Sequence, residues 1–283
     1  NDSGFLSPGT YSVSETVPAG WDSSATCSDG SNPSSISLQA GEIVTCTFTN
    51  TQKGTIIVEK QTNPDGATGS FTFSGAASGT ISDDGQITVS SLAPGQYTVT
   101  ENDPTPSFDL TNISCNDSNS SGNLGTRTST FNVEAGETIK CTFTNTQRGT
   151  ISGFKFEDLD GILGGDQIPV VDWVIELWSC ITDFNNCTNT GQTTTTNPNG
   201  FFSFSNLAPG LYQLVEQIQT GWKNLSSDTL NITLNPGESD ENNNFVNTQF
   251  GKIIVDKVTN PSGSSKSFGF TLTGGPSALN QSF

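Results

Sequence analysis

The pentapeptide Asn-Thr-Gln-x-Gly occurs three times, at Asn50–Gly54, Asn145–Gly149 and Asn247–Gly251, and six residues after each glycine stands a lysine: Lys60, Lys155 and Lys257. Successive copies lie 95 and 102 residues apart, a period that fits one small domain. A chain of 283 residues with this repeat is expected to be a tandem array, divided at 1–52, 53–148, 149–250 and 251–283. The two middle segments are complete units. The first is the C-terminal part of a unit and the last is the N-terminal part of one.

Three strand patterns recur. After the junction glycine come Gly54-Thr-Ile-Ile-Val-Glu-Lys60, Gly149-Thr-Ile-Ser-Gly-Phe-Lys155 and Gly251-Lys-Ile-Ile-Val-Asp-Lys257. A Pro-Gly turn then feeds an alternating strand that ends on Glu15, Glu101 or Glu216, as in Leu92-Ala-Pro-Gly-Gln-Tyr-Thr-Val-Thr-Glu101. The last closes each unit on Asn50, Asn145 or Asn247, as in Ile139-Lys-Cys-Thr-Phe-Thr-Asn145. No segment has helical periodicity, so the expected fold class is all-β: tandem small Greek-key sandwiches, beads on a string.

The ends of the chain fit one another. Gly251 to Phe283 and Asn1 to Glu15 together match the 48 residues from Gly54 to Glu101. The chain also contains no methionine. Two explanations stay open: the sequence is one translational unit of a longer polymer, or it is a subunit whose last strands complete the next subunit's first domain.

Ten Lys and Arg against 28 Asp and Glu, a net charge of −18, argue against nucleic acid and anionic membrane surfaces as partners. No apolar run is long enough for a membrane helix. The six cysteines fall two per unit, as Cys27 and Cys46, Cys115 and Cys141, Cys180 and Cys187. With no His and no CxxC motif, zinc is a poor fit. Pairing within units, outside the cytoplasm, is the economical reading, with buried free thiols as the alternative. The absence of His also removes the usual Ser-His-Asp and Cys-His arrangements, so no enzyme is expected.

Strand parity places Ile56, Val58 and Lys60 on one face, Tyr97, Val99 and Glu101 on another, and Ile139, Cys141, Phe143 and Asn145 on a third. Each apolar face thus ends on a Lys, a Glu or an Asn, whose unpaired burial would cost several kcal/mol, on the order of 5. Burial turns the lysine into a neutral amine and the glutamate into an acid. A neutral amine beside a carboxamide, with a protonated carboxyl to move protons, is equipped to form an isopeptide. A buried Lys–Glu pair or a lysine reaching past the strand end are the alternatives.

The combination of a first-strand Lys, a Tyr-x-[Val/Leu]-x-Glu strand and a last-strand Asn resembles the Cna-B-type, SpaA-like prealbumin-fold (transthyretin-like, Ig-like) domains of prokaryotic surface proteins. The resemblance covers essentially the whole chain and implies spontaneous Lys–Asn isopeptides promoted by the acidic residue. Carried over by position, the sets are Lys60, Asn145 and Glu101; Lys155, Asn247 and Glu216; and Lys257 with Asn50 and Glu15 of the following copy. Cysteines beside the last-strand Asn depart from that pattern, so disulfides could take over the stabilising role. The third unit opens with Phe154-Lys-Phe-Glu-Asp158-Leu-Asp160-Gly161, with Asp166 beyond, and is similar to SdrD-B-like domains. That similarity implies calcium held by Asp158, Asp160 and Asp166; a solvated acidic turn is the other reading. No other cofactor is called for.

Asn-x-Ser/Thr triplets, from Asn1 to Asn280, are no more frequent than composition produces, although the surface is compatible with glycans. Trp21 and Trp222 each follow a glycine and are expected to pack at a domain edge, with carbohydrate binding as the alternative. Together these features point to a structural subunit or repeat unit of an extracellular, cell-surface filament whose partners are copies of itself. The alternative is the stalk of an adhesin that presents a tip to a host or neighbouring cell.

Overall fold

The computed structural model describes residues 2–260, 262–263, 265–274 and 279–282. Asn1 and Phe283, whose junction the end-joining expectation invokes, lie outside them. All regular structure among the described residues is β, and no helix is long and apolar enough to cross a membrane.

In the unit after the first junction, the lysine strand Gly54–Asn63 is central. It runs parallel to the asparagine strand Thr138–Gln147 on one side and antiparallel to Gln86–Leu92 on the other. Phe108–Cys115 completes this sheet beyond the asparagine strand. The facing sheet places the glutamate strand Gly95–Glu101 between Phe71–Gly75 and Thr128–Val133. Alternation fixes which side chains meet between the sheets: every second residue of the lysine strand from Gly54 to Thr62 is buried, and its neighbours are not. Ile56, Val58, Phe73, Val99, Phe131 and Phe143 form the core, with Phe73 edge-on to Phe143.

The next unit repeats the plan. Its lysine strand Gly149–Asp158 pairs with Phe201–Leu207 and runs parallel to the asparagine strand Phe245–Gln249. The glutamate strand Gly210–Glu216 lies between Val174–Cys180 and Thr229–Leu234 in the opposite sheet. Trp173, Ile175, Leu177, Phe202 and Phe245 fill its core, and Trp222 packs edge-on against Trp173 at the rim.

The three disulfides are Cys27–Cys46, Cys115–Cys141 and Cys180–Cys187. Each joins directly opposed residues of an antiparallel pair.

The outer segments differ from the strand expectations. Residues 251–259 form no strand, and the described strands of that segment are Thr271–Gly274 and Leu279–Ser282. The expected strand ending at Glu15 shortens to Gly9–Tyr11, paired with Ile36–Leu38. Trp21–Cys27 pairs with Cys46–Gln52, and Cys27 is the only buried residue between 2 and 52. The cause is physical: two-stranded pieces bury too little apolar surface to offset the ordering of their backbone.

Candidate functional site

Lys60, Glu101 and Asn145 meet where the two sheets of the middle unit face each other, and all three are completely buried. Register sets their approach, since Lys60 lies opposite Phe143 and Asn145 opposite Thr62 on the parallel pair, while Glu101 comes from the other sheet. The Asn145 amide donates to Glu101 Oε1 at 3.0 Å, and Lys60 Nζ stands 3.6 Å from the same oxygen. Lys60 Nζ also donates to the carbonyls of Phe143 and Gln61 at 2.9 and 3.0 Å. The third unit rebuilds this site with Lys155, Glu216 and Asn247. There the Asn247 amide donates to Glu216 Oε2 at 3.1 Å, and Lys155 Nζ is 3.2 Å from that atom.

Burial dominates the electrostatics. It lowers the amines of Lys60 and Lys155 to about 8, against the opposing pull of Glu101 and Glu216. It also raises the carboxyls of Glu101 and Glu216, against the pull of the lysines. With a value of about 8, roughly a tenth of the amine is neutral at pH 7, where an ordinary lysine would have well under a thousandth. The buried atoms without a hydrogen-bond partner include Glu101 Oε2 and Asn145 Oδ1 in one site, and Glu216 Oε1, Asn247 Oδ1 and Lys155 Nζ in the other. A protonated carboxyl donating to the carboxamide oxygen satisfies both atoms of such a pair.

An aromatic ring completes each site and escapes the parity argument. Lys60 Nζ lies 4.4 Å from the centroid of Phe71, and Lys155 Nζ 4.6 Å from that of Trp173. The signal available in the sequence is spacing, since Phe71 and Phe268 each follow their lysine by eleven residues.

The third predicted set is split. The Asn50 amide donates to Glu15 Oε1 at 2.6 Å and Ser23 Oγ donates to Glu15 Oε2 at 2.9 Å, all exposed. No contact joins Lys257 to either residue; its Nζ lies 4.3 Å from the Phe268 centroid.

In the acidic loop of the third unit, Asp158 is fully buried and its Oδ2 has no partner. Asp158 Oδ1 and Asp160 Oδ1 both accept from the Ile162 amide, at 3.2 and 2.8 Å. Asp166 is exposed, and its backbone carbonyl accepts from Leu159. Among the described residues, the acidic trio whose carboxylates lie within 4.8 Å of one another is Asp65, Asp83 and Asp84. There Asp83 clasps the turn through the Thr62 and Gly66 amides.

Comparison with known proteins places the fold. Residues 4–52 and 56–147 match a SpaA prealbumin-like fold domain, and these segments belong to that family. Among solved structures, the Bacillus anthracis TIE protein aligns at 14% identity over 83% of this chain and 50% of that one, with a TM-score of 0.35. A Streptococcal ancillary pilin aligns at 14% over 77% and 70%, with a TM-score of 0.31. The shaft pilin SpaA from Lactobacillus rhamnosus GG aligns at 13% over 72% and 100%, with a TM-score of 0.31. The chain spans half the length of the first of these. No curated protein matches it.

Proposed function

We propose that the chain is a structural unit of an extracellular surface filament, in which Lys60–Asn145 and Lys155–Asn247 isopeptides rigidify successive domains. The observation that carries this reading is the recurrence, in two units of different sequence, of one buried Lys–Glu–Asn arrangement with the same amide-to-carboxylate hydrogen bond. In each site the neutral amine attacks the carboxamide carbon, a C–N bond forms, the bond to Nδ2 breaks, and ammonia leaves. The glutamic acid polarises the carbonyl, takes the amine proton and returns one to the departing nitrogen. The step occurs once per domain. Intact mass of the reduced chain tests it: the expected mass is below the sequence mass by one ammonia per bond, and a full sequence mass overturns the reading.

The SpaA prealbumin-like match and the three disulfides suit a load-bearing surface role, which a filament and an adhesin stalk share. In the adhesin-stalk reading the same rigid units would carry a tip towards a host or neighbouring cell.

The acidic loop has a separate reading. The buried, unpartnered Oδ2 of Asp158 beside Asp160 is suited to a hard cation, with calcium the class that oxygen donors select. Asp158 and Asp160 would hold it, with Asp166 the third candidate. Bound there, the ion would tie the loop and supply stability to the third unit.

A further inference from the structure

We infer that oxidation governs closure of the middle site, a regulation that rests on the bond chemistry proposed above. The Cys115–Cys141 disulfide locks the edge strand that lays Phe108 and Leu110 over Lys60 and Asn145. The third site closes in either redox state.

Each site is covered by an edge strand that carries a ring. In the middle unit that strand is Phe108–Cys115, which pairs only with the asparagine strand among the described residues. Leu110 lies directly opposite Asn145, and Phe108 opposite Gln147. Phe108 stands edge-on to Phe71 with centroids 5.1 Å apart, and Phe71 is the ring 4.4 Å from Lys60 Nζ. Gly69 packs against both rings, since a Cβ there would fall 2.9 Å from Phe71 and 3.2 Å from Phe108. The third unit builds the same cover. Trp222 lies opposite Gln249 and edge-on to Trp173 at 5.0 Å, and Trp173 covers Lys155.

This cover separates the reacting groups of the middle unit from water. The walls of a cavity of about 340 Å³ include Gly69, Phe71, Ser107, Phe108 and Gln147. Lys60, Glu101 and Asn145 take no part in those walls and are completely buried. When Phe108 moves away with its strand, water from the cavity reaches the amine. Hydration favours the charged form, which has no lone pair for attack.

The ladder alone holds the covering strand poorly. A bulge breaks its register between Leu110 and Asn112, where Thr111 Oγ1 donates to the Thr144 carbonyl. At the Phe108 end Asp109 accepts two hydrogen bonds from Arg148, but both side chains are close to a third exposed. An ion pair so open to water guides a strand without locking it. At the other end Cys115 is joined to Cys141, which is completely buried on the face that continues through Phe143 to Asn145. The Phe143 carbonyl is one of the acceptors that hold Lys60 Nζ. The disulfide thus ties the covering strand to the strand that positions both the amine and the carboxamide.

The third unit is anchored at the matching place without sulfur. Its covering strand Trp222–Asn224 runs on into Leu225 and Ser226, whose amides both donate to the Val246 carbonyl. The Val246 amide donates to Ser226 Oγ at 2.8 Å. Cys180–Cys187 lies in the opposite sheet, joining Val174–Cys180 to Cys187–Thr195. The two units share one chemistry and differ in where the disulfide sits, so the chain contains its own control.

The oxidation balances as thiol–disulfide exchange. The Cys115 and Cys141 thiols give two protons and two electrons to a small disulfide, which leaves as two thiols. In a reducing compartment the middle unit therefore stays open, and it closes once the chain meets an oxidising one.

The full chain, recovered denatured and reduced with its full sequence mass confirmed, is refolded into oxidised or reduced glutathione. Peptide mapping over time follows ammonia loss at Lys60–Asn145 and at Lys155–Asn247 separately. Both bonds should close in oxidised glutathione. In reduced glutathione the middle unit should slow on the order of 100-fold, the cost of a misplacement of about 1 Å. The third unit should keep its rate, and the Gly54–Asn63 amides should stay protected from hydrogen exchange. Cys115→Ala with Cys141→Ala should give the slow rate in both buffers, and Phe108→Ala should slow the middle unit even under oxidation. Cys180→Ala with Cys187→Ala should leave the redox response of the middle unit intact. Equal middle-unit rates in the two buffers overturn the inference, as does a Phe108→Ala chain that closes at the wild-type rate. Slow closure with loss of Gly54–Asn63 protection also overturns it, because the disulfide would then only fold the unit. Absence of ammonia loss in both units under oxidation removes the bond reading and this inference with it, a result distinct from bonds that close regardless of redox state.

Discussion

The Gln52 carbonyl accepts from the Gly136 amide across the first junction, and Gln147 stands in the same relation to Gly237 across the second. The residue after each glutamine strengthens the joint: Lys53 pairs with Asp22 at 3.0 Å, and Arg148 grips Asp109 with two hydrogen bonds. Arg148 also donates to the Asn206 carbonyl of the following unit at 3.1 Å. The junction peptide is therefore a folded joint, in which the glycine supplies both the left-handed turn and the room for the glutamine.

Gly136→Ala should destabilise the middle unit by about 1–3 kcal/mol, because the new Cβ adds a clash with Gln52 to the cost of a positive φ. Gly41→Ala carries the φ cost alone in the isolated chain and should be the milder change. Chemical denaturation of the two variants compares them, and equal effects would remove the steric part of the argument.

Glu101→Gln keeps a hydrogen-bond acceptor for Asn145 but cannot carry a proton between amine and leaving group. Bond formation in the middle unit should slow by about 100-fold or more, in line with the usual contribution of a general acid–base. The third unit, served by Glu216, should close at the normal rate. Time-resolved mass spectrometry after refolding reads both, and a middle unit that closes at the wild-type rate would remove Glu101 from the chemistry.

Much of this site is legible in the sequence because a strand has a period of two. Counting along Gly54–Lys60 and Gln96–Glu101 suffices to send Lys60 and Glu101 to the same interior as Val58 and Val99. The cysteine pairs were equally readable from their distribution, two per unit. The rings of Phe71 and Trp173 were not, since their approach to the lysines depends on how two sheets stack, and no period within one strand encodes that. The end strands mislead for a related reason. Gly251–Lys257 has the composition of a strand, but pairing is a property of two segments, and residues 251–259 form no strand. The Gln–Gly joint escaped because each residue is unremarkable alone, and their contact spans 84 residues for Gln52 and Gly136.

An unlinked variant, Asn145→Ala, should have a stability minimum near neutral pH that the linked chain lacks. The Lys60 amine is about 8 when folded against an ordinary 10.5. Between those values the unfolded chain binds more protons, so stability rises with pH across that window. Glu101 is raised above its ordinary 4.5, so the folded chain binds more protons above that value, and stability falls as pH climbs through it. Conversion to an amide removes the titration of Lys60, so the recovery above pH 8 should vanish in the linked protein. Denaturant midpoints between pH 4.5 and 9.5 measure both curves. A variant with a flat profile would show that the pair is solvated in solution.

Calcium should stabilise the third unit selectively if Asp158 is a ligand. Modules of extracellular type bind with dissociation constants of about 10⁻⁴–10⁻³ M, so the titration belongs in the millimolar range. A hundredfold excess over the dissociation constant would add about 2.7 kcal/mol. The buried Oδ2 of Asp158 gains its missing partner on binding, whereas Asp83 already spends both oxygens on the Thr62 and Gly66 amides. Asp158→Asn should therefore abolish the calcium-dependent rise in unfolding temperature, Asp160→Asn should weaken it, and Asp65→Asn should leave it in place. Magnesium, which holds its water tightly and demands octahedral geometry, should give a smaller shift. Calorimetry of the full chain with each ion separates these outcomes, and an unfolding profile indifferent to several millimolar calcium would return the loop to a solvated turn.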